Sequence, residues 1–310
     1  MSERERRLSG SARSLGVAEG PPPPRALTIA GSDSGGGAGI QADLKTFQEL
    51  GVFGMSAVTA LTAQNSLGVQ RIEAVSPDMV EAQLDSVLGD IGADAAKTGM
   101  LPTAAIVEAA ASALRRYGVS RLVVDPVRSA KDGSELSGGE AFKAMKEKLL
   151  PLAEVFTPNV PEACAFLNVG DRELASVDER IDAARALLAL GPRHVLLKGG
   201  HAPGAASVDV LVSSAAPGYP LLLELPRLPT PHTHGTGCAT AAAIAALLAA
   251  GRSAEEACRA AKAFVHAAIS RAVPLGSGIG SLWHAAWRDG VGGAPGGVGG
   301  VRPAPFPEPT

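Results

Sequence analysis

Residues 234–238 read His-Gly-Thr-Gly-Cys and stand directly before an alanine-rich run, an arrangement that could bind an anion. Gly235 and Gly237, with Thr236 between them, permit a backbone turn in which several N–H groups converge. The dipole of the helix predicted to follow adds partial positive charge at the same point. The sequence therefore predicts an anion hole that suits a phosphoryl group in transfer.

Cys238 stands in the first turn of this predicted helix. The same environment is expected to favour its thiolate, which would make Cys238 a catalytic residue. A small buried cysteine that packs the start of a helix is the alternative interpretation of this position.

A second glycine-rich segment, residues 31–39, follows a predicted strand and precedes a predicted helix. Four glycines in five positions exceed what a chain reversal requires, so we expect a loop that faces a ligand. A tight structural turn is the alternative. The glycine spacing matches neither the GxGxxG dinucleotide fingerprint nor the GK[ST] ending of a P-loop.

Three further polar residues follow predicted strands. Asn159 and Glu162 lie three apart, so their oxygen atoms can face one point and hold Mg²⁺ partly through water. The same spacing suits a helix cap at Asn159 with Glu162 in the first turn, and spacing alone does not separate the two interpretations. Lys198, which two glycines follow, could contact ATP phosphates or mark a turn.

The elements that must position these residues alternate along the chain. The predicted strands are residues 26–30, 55–61, 69–75, 93–97, 121–125, 155–157, 194–198, 208–212 and 221–225. The predicted helices are residues 40–50, 77–88, 102–117, 238–250, 254–271 and 281–288, and the second of these has Met79 on its apolar stripe. Runs such as 121–125 are apolar on both faces, which is typical of a buried parallel strand. The pattern predicts an α/β fold with a central, mostly parallel sheet, helices on both faces, and ligands at the carboxyl ends of the strands.

Composition sets further limits. Glycine and proline are concentrated at both ends, so we predict a disordered arm over 1–24, one domain over 25–289 and a disordered tail over 290–310. A net charge of −3 argues against a nucleic-acid binder. Three cysteines without metal spacing indicate a reducing cytoplasm. The apolar run over 239–250 is shorter than the roughly 20 residues of a membrane span, so no membrane partner is expected.

Seven motifs occur in one order within residues 25–287, namely AGSDSGGGAGIQADLKTF, TALTAQN, KTGML, VVDPV, TPNVPEA, KGGH and HTHGTGC. In this combination the sequence resembles the hydroxymethylpyrimidine/phosphomethylpyrimidine kinases of thiamine synthesis, within the ribokinase-like superfamily. The resemblance implies a ribokinase-like α/β fold. It also implies that the 5-hydroxymethyl group of 4-amino-5-hydroxymethyl-2-methylpyrimidine takes the γ-phosphoryl of ATP, and that the monophosphate is then phosphorylated to the diphosphate.

The resemblance further implies roles for individual residues. Cys238 would accept the hydroxyl proton, while the amides of Gly235, Thr236, Gly237 and Cys238 would stabilise phosphoryl charge. The residues expected around the pyrimidine are Gly31, Asp43, Gln64 and Met100. The residues expected around ATP and Mg²⁺ are Asn159, Glu162 and Lys198. Relatives suggest a homodimer.

The sequence departs from the family pattern in one loop. Residues 128–133 read Arg-Ser-Ala-Lys-Asp-Gly, where relatives usually have Met-Val-Ala-Lys-Ser-Gly in a loop expected to flank the substrate. Arg128 and Asp132 thus replace an apolar and a small residue. Two alternative functions stay open, a pyridoxal/pyridoxine kinase of the same superfamily and a non-catalytic pyrimidine-binding protein.

Overall fold

The predicted apolar runs form the strands of one nine-stranded sheet in a computed structural model, which describes residues 21–128, 136–170, 174–200 and 204–292. The strands are β1 (Arg25–Asp33), β2 (Phe53–Asn65), β3 (Gly68–Ala74), β4 (Ala95–Thr98), β5 (Leu122–Val124), β6 (Ala153–Phe156), β7 (His194–Leu197), β8 (Ala206–Ser213) and β9 (Leu221–Pro226). Their order across the sheet is β3-β2-β1-β4-β5-β6-β7-β8-β9. All neighbours from β2 to β7 pair parallel, and β3, β8 and β9 pair antiparallel.

Helices cover both faces of this sheet, which confirms the predicted α/β fold. They are α1 (Gly39–Glu49), α2 (Pro77–Asp90), α3 (Ala104–Arg116), α4 (Gly139–Ala144), α5 (Val160–Leu167), α6 (Val177–Leu188), α7 (Thr236–Ala249), α8 (Ala254–Ser270) and α9 (Ala286–Gly292). One hydrophobic cluster joins the sheet to α2–α6, and a second joins the opposite face to α1, α7 and α8. Within the described residues, no helix is long and apolar enough to cross a membrane.

Helix α7 is the element that brings the cysteine turn to the sheet. Most of its side chains are buried alanines, so its backbone can approach β1, β4 and β5 closely. Its first turn lies beside the carboxyl ends of β4 and β5, because a Cβ atom placed on Gly237 would be 3.8 Å from Oδ2 of Asp125, the residue after β5. The helix N-terminus and the ends of these two strands therefore share one space.

Three local predictions are wrong. Strand β1 extends beyond residue 30 to Asp33, since Ser32 and Asp33 pair with β2 after a register shift. Met79 of α2 is 54% exposed and does not belong to the buried stripe. The last helix begins at Ala286 rather than 281, because Ser281 is held in extended bridges to His234 and Val273.

The expected tails and the departing loop lie mostly outside the described residues. The described chain begins at Pro21, and α9 continues three residues past the predicted domain end at 289. Of residues 128–133, only Arg128 is described.

Candidate active site

A cleft of about 990 Å³ lies along the carboxyl ends of the parallel strands. It is lined by ten residues that the sequence predicted for the site, Gly31, Gln64, Met100, Asn159, Glu162, Lys198, Gly235, Thr236, Gly237 and Cys238. Side chains from distant parts of the chain meet there because parallel strands end at the same edge of the sheet. Asp43, the remaining predicted residue, does not line the cleft.

The turn before α7 is built on a glycine in the left-handed region. Gly235 has φ of 87°, and a Cβ atom at this position would lie 1.9 Å from the carbonyl oxygen of Gly37. The two glycine-rich segments therefore touch through their backbones, which only glycine permits. Within the described residues, the N–H groups of Gly237 and Cys238 have no hydrogen-bond partner. Free N–H groups at a helix N-terminus are the donors that the predicted anion site requires.

Asp33 ties the same two segments together through side-chain contacts. Its Oδ1 accepts a hydrogen bond from Gly35 N at 2.8 Å, and its Oδ2 accepts from Gly37 N and Ala38 N at 3.0 and 2.8 Å. The His234 Nε2 atom lies 3.0 Å from the same Oδ2. Burial opposes ionisation of Asp33, but these hydrogen bonds and His234 outweigh it and lower the pKa of the carboxyl group. The ionised Asp33 carboxylate thus holds the two glycine-rich segments together.

Gln64, Met100 and Gly31 form the end of the cleft that was predicted to hold the pyrimidine. A Cβ atom on Gly31 would lie 3.0 Å from Met100 Sδ, so the methionine packs directly over that glycine. Gln64 Oε1 accepts from Thr62 Oγ1 at 3.2 Å, and Gln64 Nε2 lies 3.5 Å from His234 Nε2. The Gln64 amide has few fixed partners and is half-buried at the cleft surface, so it can offer hydrogen bonds to a heterocycle.

Asp43 lies beneath this end of the cleft, which corrects the prediction that it contacts the pyrimidine. Its carboxylate is fully buried, accepts from Thr28 Oγ1 at 2.6 Å and pairs with Lys97 Nζ at 2.9 Å. Burial opposes the charge on Lys97, but Asp43 outweighs it and raises the pKa of the lysine. Asp43 therefore acts on the site through Lys97, which does line the cleft.

Cys238 lies between these groups with a protonated thiol. Burial, together with Asp43 and Asp125, raises its pKa to about 11, although Lys97 and a hydrogen bond from Gly39 oppose the shift. The prediction that this environment favours the thiolate is therefore wrong for the unliganded site. The dipole of α7 favours the thiolate, but the loss of hydration and the two buried carboxylates oppose it, and a local sequence motif contains neither of them.

The other end of the cleft holds a lysine between two carboxylates. Lys198 Nζ donates to Asp125 Oδ1 at 2.8 Å, and the same oxygen accepts from Thr157 Oγ1 at 3.1 Å. Burial opposes the charge on Lys198, but Asp125 and Glu162 outweigh it and raise the pKa of the lysine. Burial raises the pKa of Glu162 to about 7, with Lys198 opposing and Asp125 adding to the shift. This end combines one cation with two hard oxygen donors.

Asn159 and Glu162 form a capping box at the start of α5, so the capping interpretation is confirmed. Asn159 Oδ1 accepts from Glu162 N at 2.9 Å, and Glu162 Oε2 accepts from Asn159 N at 2.8 Å. Both residues nevertheless line the cleft, so a cap and a ligand-facing position coexist. The described residues contain no group of three or more histidines, cysteines or carboxylates arranged for a metal ion. A metal here would need ligands from a bound molecule as well.

Sequence reasoning missed Lys97, Asp125 and His234 as individual site residues. Each belongs to a quoted motif, and Lys97 and Asp125 lie at the ends of strands β4 and β5. A charged residue at the end of an otherwise apolar parallel strand was the available signal. His234 carried a weaker signal, because its contact with Asp33 joins residues 201 positions apart.

These features define a class. The strand ends of a ribokinase-like α/β sheet face the first turn of α7, and lysine–carboxylate pairs line the same cleft. This arrangement is typical of a small-molecule kinase that uses ATP. A family model described as phosphomethylpyrimidine kinase matches residues 33–283. The chain belongs to the phosphomethylpyrimidine kinase family.

Individual relatives agree with this assignment. The hydroxymethylpyrimidine/phosphomethylpyrimidine kinase of Bacillus subtilis is 44% identical over 266 residues, which cover 85% of this chain and 96% of that protein. The Streptomyces coelicolor protein of the same name is 48% identical over 265 residues, covering 84% and 94%. A crystal structure of an ADP complex of Bacillus subtilis pyridoxal kinase has a TM-score of 0.79 and 42% identity, covering 86% of this chain and 99% of that one.

Proposed function

We propose that this kinase phosphorylates 4-amino-5-hydroxymethyl-2-methylpyrimidine and then its monophosphate, with ATP as donor, in thiamine biosynthesis. One observation carries the proposal. The free N–H groups of Gly237 and Cys238 lie between a pocket lined by Gln64 and Met100 and a second end that holds Lys198. An acceptor at one end and a nucleotide at the other would place the transferring phosphoryl group at the turn.

The acceptor end suits an aminopyrimidine by its chemistry. The Gln64 amide offers a donor and an acceptor, which matches an amino group beside a ring nitrogen. Gly31 lets Met100 pack directly against the backbone, since a Cβ atom there would lie 3.0 Å from the methionine sulfur, and the two residues would form an apolar wall for a flat ring. Asp43 would support this end by holding Lys97 in place rather than by contact with substrate.

Phosphoryl transfer needs positioning and charge stabilisation more than covalent chemistry. The backbone of Gly235, Thr236, Gly237 and Cys238 would stabilise the charge that develops on the phosphoryl oxygens. Cys238 would accept the hydroxyl proton through the small fraction of its thiol that is ionised. Because its pKa is about 11, this acceptance limits the rate more strongly at neutral pH than at high pH.

Asp125 would join Glu162 and Asn159, the predicted pair, in holding a magnesium ion. Asp125 and Glu162 are carboxylates at the nucleotide end, and Mg²⁺ prefers one or two carboxylates together with substrate phosphates. Asn159 Oδ1 and Glu162 Oε2 each accept one hydrogen bond in the cap of α5, and each residue keeps acceptor capacity for a ligand. When bound with ATP, Mg²⁺ would neutralise phosphate charge, while Lys198 would contact the nucleotide.

The test is incubation of the purified chain with Mg-ATP and the hydroxymethylpyrimidine, followed by mass spectrometry. The monophosphate should form first and the diphosphate second. A Gln64→Leu variant keeps the side-chain size but loses the amide, so the KM for the pyrimidine should rise about tenfold or more while that for ATP stays constant. Absence of any phosphorylated pyrimidine from wild-type protein at saturating substrate would reject the proposal.

A pyridoxal or pyridoxine kinase is the second candidate, favoured by the 42% identity to a structurally similar pyridoxal kinase. Competition of the pyrimidine and pyridoxal in one reaction measures the ratio of kcat/KM values and decides between them. A non-catalytic binding protein would instead bind the pyrimidine tightly without consuming ATP.

We also propose that residues 25–289 form a single domain, that the protein is a homodimer and that it is located in the cytoplasm. Sedimentation analysis tests the dimer.

A further inference from the structure

Arg128 is the first residue of the loop that departs from the family pattern, and its backbone is held from two sides. Its carbonyl oxygen accepts hydrogen bonds from Leu136 N at 2.8 Å and from Ser137 N at 3.3 Å. Its own N–H group donates to the Glu162 carboxylate, which contributes to the pKa of that glutamate. The side chain is exposed and lines the cleft beside Asn159 and Glu162. The backbone of Arg128 is therefore fixed by hydrogen bonds at a point from which its side chain reaches the cleft.

An aromatic ring supports the guanidinium group. The Cζ atom of Arg128 lies 6.0 Å from the centroid of the Phe142 ring, and Phe142 packs on Phe166 with ring centroids 4.3 Å apart. A guanidinium over an aromatic face is weakly stabilised by the ring. Its N–H groups point outward in the guanidinium plane and stay available to hydrogen-bond a ligand. This arrangement restricts the guanidinium without using its hydrogen-bond donors.

The charges of the cleft distinguish Arg128 from the other cations there. Three cleft-lining lysines each pair with an aspartate, namely Lys97 with Asp43, Lys198 with Asp125 and Lys262 with Asp209. Arg227 donates to backbone carbonyl oxygens, including that of Gly200 at 2.7 Å. Among the described residues, the Arg128 guanidinium has neither kind of partner, so no carboxylate in the described part of the chain neutralises its charge.

We propose that Arg128 binds a phosphate group of the reactants, either the polyphosphate of the nucleotide or the phosphate of the phosphorylated pyrimidine. The inference rests on the proposed function, which brings both kinds of phosphate into this cleft. A guanidinium beside the Asp125–Glu162 end adds positive charge to that of Lys198, which the two carboxylates offset. Arg128 is then a specificity residue that this chain has added to the loop.

Calorimetric titration of wild type, Arg128→Met and Arg128→Lys with ADP, the pyrimidine alcohol and the pyrimidine monophosphate tests the proposal. The methionine variant should weaken the Kd of at least one phosphate-bearing probe about tenfold and leave that of the alcohol unchanged. The lysine variant should restore part of the loss. Arg71→Met removes an exposed arginine outside the cleft and serves as the matched control.

The pattern of loss identifies the source of the phosphate. Weaker binding of ADP assigns Arg128 to the nucleotide, and weaker binding of the monophosphate alone assigns it to the acceptor. Kd values within twofold of wild type for all three probes would overturn the proposal, as would an equal loss for the alcohol. Because these experiments measure binding, the test of Arg128 does not depend on whether the protein turns over its substrate. A wild-type protein that binds but does not phosphorylate the pyrimidine counts against the proposed function and not against Arg128.

Discussion

The protonation state of Cys238 gives the sharpest prediction, because sequence and structure disagree about it. With a pKa of about 11, the thiol should react slowly with iodoacetamide at neutral pH and faster as the pH rises. Thiolates and not thiols are alkylated, so the rate follows the ionised fraction. The experiment is therefore to measure the alkylation rate of Cys238 over a pH series from 7 to 10, without added ligand.

The magnitude follows from the two pKa values. At pH 8, a thiol of pKa about 11 is about 0.1% ionised, whereas an ordinary cysteine of pKa about 8.5 is roughly a quarter ionised. The difference is roughly 200-fold in thiolate concentration. A more basic thiolate is intrinsically more nucleophilic, which reduces the expected difference in rate to about 20-fold. The rate should still rise about tenfold for each pH unit up to pH 10.

Mass spectrometry of the Cys238 peptide measures this rate, with glutathione as an unperturbed thiol in the same tube. Fully buried Cys258 reports any unfolding at high pH, because it should stay unmodified in the folded protein. Limited access of iodoacetamide to Cys238 would lower the alkylation rate equally at every pH. The slope of the logarithm of the rate against pH is therefore decisive, and not the absolute rate. A rate that levels off below about pH 9 would refute the reasoning and restore the thiolate predicted from the sequence.

The same pKa has a consequence for turnover. If Cys238 accepts the hydroxyl proton, kcat should rise between pH 7 and 9 as the thiolate fraction increases. Cys238→Ala should keep the fold, lower kcat by roughly 10²–10⁴ and remove this pH dependence. Near-full activity in the alanine variant would exclude Cys238 from the mechanism.

Three further predictions concern the frame of the site. Lys97→Met leaves the buried Asp43 charge unpaired and should lower the free energy of unfolding by about 3–5 kcal/mol in urea titrations, whereas the double variant with Asp43→Leu should recover most of it. Gly235→Ala should reduce kcat by roughly 10²–10³ because its Cβ would meet backbone, while Gly251→Ala, also left-handed but open, should leave kcat unchanged. His284 is buried with a pKa lowered to about 4, so it stays neutral in the fold while the unfolded chain takes up a proton below about pH 6.5. His284 should therefore cost about 2 kcal/mol of stability between pH 7.5 and 5, measured as the difference in that pH dependence between wild type and His284→Gln in thermal unfolding, because Glu162 shifts stability in the opposite direction equally in both proteins.

Much of the fold could be predicted from local pattern. Runs such as those of β5 and β7 are apolar on both faces, and only a strand covered on both sides explains them. The errors in strand bounds occur where pairing with a neighbouring strand overrides the local conformational preference of the residues. Asp33 belongs to a glycine-rich segment that predicts a loop, but it pairs with Thr62 because β2 continues beside it.

The membership of the site was also largely predictable, since ten of eleven predicted residues line one cleft. Their protonation and contacts were not. The Asn159–Glu162 spacing was compatible with a cap and with a metal, and the hydrogen bonds show that the cap is present in a cleft-lining position. Asp43 shares a motif with cleft residues, yet its helix turns its carboxylate inward to Lys97.

The sequence by itself determined the succession of the nine strands along the chain, the glycines that allow two backbones to meet, and the family to which the chain belongs. These follow from local periodicity and from residue types at fixed spacing. Only the tertiary structure decided that Cys238 keeps its proton, that Asp43 lies under the cleft and that Arg128 lacks a carboxylate partner among the described residues. Hydration and charge pairing depend on which distant residues share one space, and the sequence order does not contain those distances.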